Sequence, residues 1–251
     1  MRIDGNTEII AHIGFPTHAF RSPLIYNPWF VKSGINAMVV PMGCQTEPYP
    51  QFLRSVFKLS NIRGALITMP HKVTTLGMLD EVLPNAMIAG AANAVRRLPD
   101  GRLQGDMFDG EGFVRGLKRK GFETRGKRTL VVGSGGVGSA IAASLAAAGV
   151  LEMHLYDVNT AAASALRDRL LRQYPNMTIR TGSKDPAGLE LLVNATPLGM
   201  NAGDPLPLDM LRIDPASFVG DVVMKTDMTA FLSAAQAKGC QIQMGADMLY
   251  E

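Results

Sequence analysis

One segment restricts the possible folds of this chain more than any other. Thr129-Leu130-Val131-Val132 is a short apolar run, Gly133-Ser134-Gly135-Gly136-Val137-Gly138 follows at once, and an Ala-rich run from Ser139 to Ala148 comes next, closed by Gly149. Strand, glycine turn and helix in that order open a dinucleotide-binding βαβ unit, with Gly133, Gly135 and Gly138 in G-x-G-x-x-G spacing. The first glycine permits the tight turn, the second lets backbone approach a pyrophosphate, and the third lets the helix pack on the strand. Free N–H groups at the helix start hold the phosphates. A second apolar run, Met153 to Tyr156, ends at Asp157, 19 residues beyond Gly138. A carboxylate at that spacing accepts hydrogen bonds from the ribose hydroxyls. The sequence therefore assigns Gly133, Ser134, Gly135, Gly136, Val137 and Gly138 to cofactor phosphates and Asp157 to the ribose.

The rest of the chain reads as alternating strands and helices. Strands are predicted at 9–13, 37–40 and 65–68, with helices at 22–33, 49–59 and 72–82; Ser22-Pro23 reads as an N-cap followed by Pro at the first helical position. Pro99-Asp100-Gly101 marks a hairpin between 93–97 and 102–105, and a helix at 109–120 leads into the second half. There, 160–174 and 229–238 read as helices, and 177–180, 191–194, 218–222 and 241–243 as strands. This alternation implies two α/β domains: a substrate-binding domain at 1–106 and a Rossmann domain at 107–238, with a cleft between them. Residues 239–251 are expected to pack back on the first domain. With 251 residues, 47% of them hydrophobic, the chain can bury a sizeable core. Net charge is +3 with no long Lys/Arg block, which argues against a nucleic-acid partner. Cys44 and Cys240 form no C-x-x-C, so neither a metal site nor a disulfide framework is expected. No apolar run is long enough to span a membrane. The expectation is a cytoplasmic protein, monomer or homodimer, with a small-molecule substrate.

A dinucleotide site needs a substrate site facing the nicotinamide and a base for the hydroxyl proton. Two polar clusters precede the nucleotide domain: Thr68-Met69-Pro70-His71-Lys72 after an apolar strand, and Gly105-Asp106-Met107-Phe108-Asp109-Gly110 before a helix. A lysine beside an apolar strand can serve in proton transfer, and a nearby carboxylate can orient it. The residues alone leave two alternatives open: Lys72 as a solvated side chain and Asp109 as a helix cap. His12 and His154 lie inside apolar strands and read as structural. His18 and His71 read as nearer a cleft, with no carboxylate paired to either in sequence.

The order of motifs resembles the shikimate dehydrogenase family over nearly the whole chain. Its opening G-x-P-x-x-x-S-x-S-P loop corresponds to Gly14-Phe15-Pro16-Thr17-His18-Ala19-Phe20-Arg21-Ser22-Pro23, and its G-x-N-V-T-x-P-x-K to Gly64 through Lys72. A-G-A-x-N-T corresponds to Ala89 through Ala94, and G-x-N-T-D-G to Gly105 through Gly110. N-A-T-P-x-G-M is intact as Asn194 through Met200, and G-x-x-M-L as Gly245 through Leu249. The resemblance implies reversible oxidation of shikimate, or in some members quinate. It makes Lys72 the proton-transfer residue and Asp109 its partner, gives Asn93 and Thr68 to ring hydroxyls and Ser22 to the substrate carboxylate, and places Asn194, Thr196 and Pro197 at the cofactor.

The departures from the family pattern concern recognition. Phe20 stands for the first loop Ser, Leu66 for Asn, Ala94 for Thr, Met107 and Phe108 for Asn and Thr, and Met224 for a Tyr. By the resemblance, that Tyr and both loop Ser residues contact the carboxylate, so two of three donors are absent. Hydrogen bonds to a charged group are worth roughly 1.5–3 kcal/mol each, so their loss implies about 10²- to 10⁴-fold in kcat/KM on the ordinary acid. Phe20, Leu66 and Met224 are thus expected to line an altered substrate site, with Arg21 or His18 as candidates to compensate. After the second strand of the nucleotide domain the chain reads Tyr156-Asp157-Val158-Asn159-Thr160, without the Arg that pairs with a 2′-phosphate in typical members. The expected cofactor is therefore NAD rather than NADP. The reading is an NAD-dependent oxidoreductase of a shikimate- or quinate-like cyclic hydroxy acid, with weak or altered activity on shikimate. The alternative is a non-catalytic dinucleotide sensor, against which Lys72, Asp109, Asn93 and Thr68 stand together.

Overall fold

The computed structural model describes residues 3–249. Its contacts divide the chain into two units, Met1–Met107 and Phe108–Glu251.

The first unit contains β1 (Glu8–Gly14), α1 (Ser22–Lys32), β2 (Ala37–Gly43), α2 (Tyr49–Val56), β3 (Ile62–Ile67), α3 (Lys72–Leu76), β4 (Glu81–Val82), α4 (Pro84–Ala89), β5 (Ala94–Arg97) and β6 (Leu103–Asp106). The strands form one sheet in the order β2-β1-β3-β5-β6-β4. β1 pairs parallel with β2 and β3, while β5 is antiparallel to both β3 and β6, through the expected hairpin. Side chains alternate across a strand, and both faces of this sheet are apolar. Ala11, Ile13, Ala65, Ile67 and Val95 join Tyr49 and Leu53 in one buried cluster. Ile10 and Leu66 face the other way, onto Phe30 and Val39.

Three local expectations change. Ser22 is the first residue of α1 rather than its cap; Arg21 holds the cap position without a side-chain bond, and Pro23 still sits in the first turn. The helix expected at 72–82 stops at Leu76, because the following residues are drawn into the sheet. Asp80 accepts the Leu103 N–H at 2.8 Å, and Glu81 and Val82 pair with Gln104 and Gly105. Finally α4 was not foreseen, although Pro84 at its start and Gly90 in the left-handed region (φ 69°) at its end are the usual boundary signals.

The second unit contains α5 (Asp109–Arg119), β7 (Arg128–Val132), α6 (Gly136–Ala147), β8 (Glu152–Tyr156), α7 (Thr160–Gln173), β9 (Thr178–Thr181), β10 (Leu191–Asn194), β11 (Phe218–Asp221), α8 (Ala230–Ala237) and β12 (Gln241–Gln243). Its six strands are all parallel, in the order β12-β11-β10-β7-β8-β9. The central strands are buried on both faces and read as continuous apolar runs for that reason. α6 is buried almost all round. α5 lies on it so closely that a Cβ at Gly110 would collide with the Ala140 carbonyl. The 3-10 turn Gly245–Leu249 lies on α5, within the second unit. Asp247 pairs with Arg119 and Lys120, each at 3.0 Å, and a Cβ at Gly112 would collide with the Met248 carbonyl. Residues 250 and 251 of the segment expected to pack back on the first domain lie outside the described residues. No helix among the described residues is long and apolar enough to cross a membrane.

Candidate active site

In the second unit, β7 and α6 meet at the glycine turn. Gly133 adopts φ 102°, a region that favours glycine, and donates its N–H to the Tyr156 carbonyl at 2.7 Å. A Cβ at Gly138 would collide with the Gly133 carbonyl and lie 3.2 Å from Ala195 Cβ. Gly135 and Gly136 are exposed, with nothing near a Cβ at either, so backbone there is open to a ligand. Ser134 places a buried Oγ in the turn with no hydrogen-bond partner among the described residues. This is a backbone cradle into which pyrophosphate fits.

Asp157 closes the turn at the end of β8. Its Oδ2 accepts the Ser134 N–H at 2.7 Å and its Oδ1 the Asn159 N–H at 2.8 Å. Asn159, not Asp157, caps α7, by accepting from the Ala162 N–H. Each Asp157 oxygen keeps a further lone pair free of these two bonds. One cation that sequence spacing did not place approaches this strand: Lys184 sets its ammonium 5.7 Å from the centre of the Tyr156 ring and also donates to the Pro207 carbonyl.

Asn194 is fully buried, and its amide organises its own loop. Nδ2 donates to the Leu198 carbonyl and to Asp221, each at 3.0 Å, and Oδ1 accepts from the N–H and the hydroxyl of Thr196. Burial raises the pKa of Asp221, against the hydrogen bonds from Val223, Thr229 and Asn194 that favour its charge. What this loop shows to the glycine turn is the Ala195 carbonyl and the Thr196 methyl, 2.6 Å and 3.1 Å from where a Gly133 Cβ would lie. Pro197 is exposed beside them. Asn194 thus shapes the loop, and Thr196 and Pro197 carry its surface.

In the first unit, backbone hydrogen bonds gather the candidate polar residues at the ends of β1 and β3. Thr68 donates its N–H to the Ile13 carbonyl at 2.9 Å, Ala92 N–H reaches the Lys72 carbonyl at 2.9 Å, and Ile67 N–H the Asn93 carbonyl at 2.7 Å. Thr68, Lys72 and Asn93 are therefore fixed relative to one another by main chain. Lys72 begins α3, and His71 before it is fully buried. The His71 Nε2 contacts the Cys44 carbonyl at 2.8 Å, and its ring stacks on Tyr49 with centroids 3.8 Å apart. Burial pushes the Tyr49 hydroxyl up to about 12. Asp109 opens α5, with Phe108 in the cap position. Both cysteines are buried and free, and among the described residues no cluster of His, Cys, Asp or Glu could hold a metal ion.

Comparison with known proteins places these features in one family. The profile of the shikimate dehydrogenase substrate binding domain matches residues 13–95. A shikimate dehydrogenase (NADP(+)) of Rubrobacter xylanophilus is 36% identical over 252 residues, spanning 99% of this chain and 88% of that protein. The chain belongs to the shikimate dehydrogenase family. Among solved structures, shikimate 5-dehydrogenase from Listeria monocytogenes, in complex with shikimate and NAD, superposes with a TM-score of 0.91 at 29% identity, over 99% of this chain and 90% of that one. Quinate dehydrogenase from Corynebacterium glutamicum, in complex with NAD, superposes with a TM-score of 0.86 at 28% identity, over 97% and 89%. The two α/β units are thus the family's substrate domain and Rossmann domain.

The substituted positions fall in different places in this family fold. Phe20 is half-buried and stacks on His12, with ring centroids 4.1 Å apart. Leu66 pairs in register with His12 on the neighbouring strand. A Cβ at Gly14 would collide with Thr68 and lie 3.0 Å from Phe20 Cζ, so the glycine lets both side chains close on the backbone there. Ser22 is half-buried, Arg21 and His18 are exposed, Ala94 begins β5, Met107 is fully buried, and Phe108 and Met224 are exposed. His12 is the residue whose position the sequence understated: its apolar strand predicts burial, and only the fold puts it on the same face as Phe20, Leu66 and Thr68.

Proposed function

We propose that this protein is an NAD-dependent oxidoreductase that reversibly oxidises a secondary hydroxyl of a shikimate- or quinate-like cyclic hydroxy acid, with weak or altered activity on shikimate itself. The observation that carries the reading is the main-chain network that fixes Thr68, Lys72 and Asn93 at the strand ends, in a chain whose second unit holds an intact dinucleotide turn. A bound nicotinamide supplies hydride acceptance and donation. Lys72, as its neutral amine, takes the hydroxyl proton as the alcohol is oxidised and, as the ammonium so formed, returns it in the reverse direction, while Asp109 orients the lysine side chain. Thr68 and Asn93 hold ring hydroxyls, and Ser22 meets the acid end. Phe20, Leu66 and Met224 bring apolar surface to the recognition positions and reduce affinity for the ordinary acid.

The NAD preference rests on Asp157. Its carboxylate is held at the strand end by two backbone N–H groups, placed to accept from ribose hydroxyls and to repel a 2′-phosphate. Backbone at Gly133 through Gly138 binds the pyrophosphate, and Thr196 and Pro197 cover it.

NADH formation by the pure protein on shikimate and quinate, compared with NADPH formation, tests this reading. Turnover with NAD⁺ exceeding that with NADP⁺ is expected. The Lys72→Ala variant should lose at least 10²-fold in turnover while NAD⁺ binding, followed by calorimetry, stays within about threefold of the parent. Bound NAD⁺ with no turnover of either acid in the parent protein would refute the substrate assignment.

A further inference from the structure

We infer that His12 is a substrate-recognising residue, and that the group it takes is an uncharged hydroxyl or carbonyl on a polyhydroxylated ring. This rests on the proposed site at Lys72 and Thr68.

The first observation is an unsatisfied atom. His12 is 5% exposed, and its Nδ1 is buried without a hydrogen-bond partner among the described residues. Buried polar atoms nearly always have partners, and those that do not need a reason. The other unsatisfied ring nitrogen, on His71, belongs to a histidine whose Nε2 is anchored on the Cys44 carbonyl. His12 has no such anchor. A half-turn about χ2 changes the ring's outline little, so either ring edge can present a nitrogen.

The second observation is position. His12 lies on the sheet face that carries Leu66, its register partner, and it stacks on Phe20. Phe20 in turn approaches Thr68 across Gly14. The imidazole is therefore the polar group of an otherwise apolar wall beside the proposed hydroxyl-binding residue. Parallel sheets bind ligands at the carboxyl ends of their strands, and His12 stands two residues from the end of β1.

The third observation sets the chemistry. Burial, and then the positive charge of Lys72, lower the His12 pKa to about 4, so the ring is neutral at physiological pH. A neutral imidazole offers one N–H and one lone pair, which match a hydroxyl or a carbonyl. An ionised carboxylate against Phe20 and Leu66 would lose its hydration to apolar side chains. The wall therefore selects a ring whose group facing His12 is neutral.

Shikimate and its methyl ester separate these cases, because they share ring hydroxyls and differ in charge. With NAD⁺ saturating, the parent protein should show a kcat/KM at least tenfold higher on the ester. His12→Leu should raise KM for the ester about 10- to 100-fold with kcat changed less than threefold, and His12→Asn, which restores a neutral polar atom, should recover part of the loss. A tenfold preference for the acid, or a KM for the ester that His12→Leu leaves unmoved, would overturn the inference. If neither compound is oxidised, calorimetry of ester binding to the NAD-loaded protein decides separately. Binding that His12→Leu abolishes keeps His12 as the recognition residue and rejects the redox reading, whereas no binding, or binding indifferent to His12, rejects this inference.

Discussion

Replacing Asp157 by Asn isolates the charge on which the cofactor preference rests. In the parent protein the two carboxylate oxygens accept the Ser134 and Asn159 N–H groups at 2.7 Å and 2.8 Å. Asn keeps the shape and one accepting oxygen, so one N–H loses its partner, at about 1 kcal/mol net. The repulsion of a 2′-phosphate disappears at the same time. Two unit charges about 4 Å apart repel by about 1 kcal/mol in bulk water and by about 4 kcal/mol at the effective dielectric near a protein surface. Asp157 is half-buried and lies between these limits, so its charge should discriminate against NADP by about 5- to 10³-fold. Asp157→Asn should therefore lower kcat/KM for NAD⁺ about tenfold or less and raise it for NADP⁺, so that the ratio of the two falls by at least about fivefold. Initial rates with both nucleotides, and their dissociation constants by calorimetry, measure this directly. A ratio unchanged within threefold would mean that the Asp157 carboxylate does not face the 2′ position, and the argument for NAD would fall with it. A preference for NADP already in the parent protein would point instead to a nearby cation, with Lys184 the first to replace.

Two further outcomes follow from the geometry. Gly138→Ala should weaken NAD⁺ binding at least tenfold by calorimetry, since the added methyl collides with the Gly133 carbonyl and relieving such overpacking costs about 1–3 kcal/mol; unaltered binding would show that α6 can move off the turn without harm. Stability should also fall on acidification through His12: its folded pKa is about 4 against an ordinary 6.5, so between those values the unfolded chain holds a proton that the folded one does not. The stability contributed above pH 6.5 is lost as pH drops toward 4, by about 3 kcal/mol, and urea unfolding of His12→Leu across this range should show a correspondingly flatter profile.

The sequence was most legible where local pattern and tertiary environment agree. β7, the glycine turn, α6 and β8 were readable because fully buried parallel strands are continuous apolar runs and because the turn demands glycine at fixed places. β10 and β12 matched residue for residue, 191–194 and 241–243. The region 72–90 was misread because its helical run is overridden from a distance. Nothing local to Glu81 announces that Gln104 and Gly105 lie opposite it, and Pro84 and Gly90 were passed over as the bounds of a separate helix. The candidate site shows the same division. Motif makes Thr68, Lys72 and Asn93 candidates, and main-chain hydrogen bonds tie their backbones together. Asn194 was read as a contact residue because a motif gives residue types without side-chain direction; its amide turns inward to Leu198, Asp221 and Thr196. His12 was taken for core because an apolar strand predicts burial and says nothing of an unpaired nitrogen.

The residues proposed for chemistry and those proposed for recognition rest on separate physical supports. Lys72, Thr68 and Asn93 hold their relative positions through main-chain bonds to Ala92, Ile13 and Ile67, and none of those bonds involves the side chain at position 12, 20 or 66. His71, the residue before Lys72, is anchored by its stack on Tyr49 and by the Cys44 carbonyl. The proposed recognition side chains, His12, Phe20 and Leu66, lie near the ends of β1 and β3 and in the connection to α1. Exchanges among them should therefore act mainly on KM and on the choice of substrate. Exchanges in the His71 support should lower kcat across all substrates alike, because they move the lysine itself. Comparing kcat and KM for His12→Leu and His71→Leu on one substrate sets the two classes side by side. If His12→Leu lowered kcat as far as His71→Leu with KM unmoved, recognition and chemistry would share one support, and the altered wall could not have arisen without cost to the proton transfer.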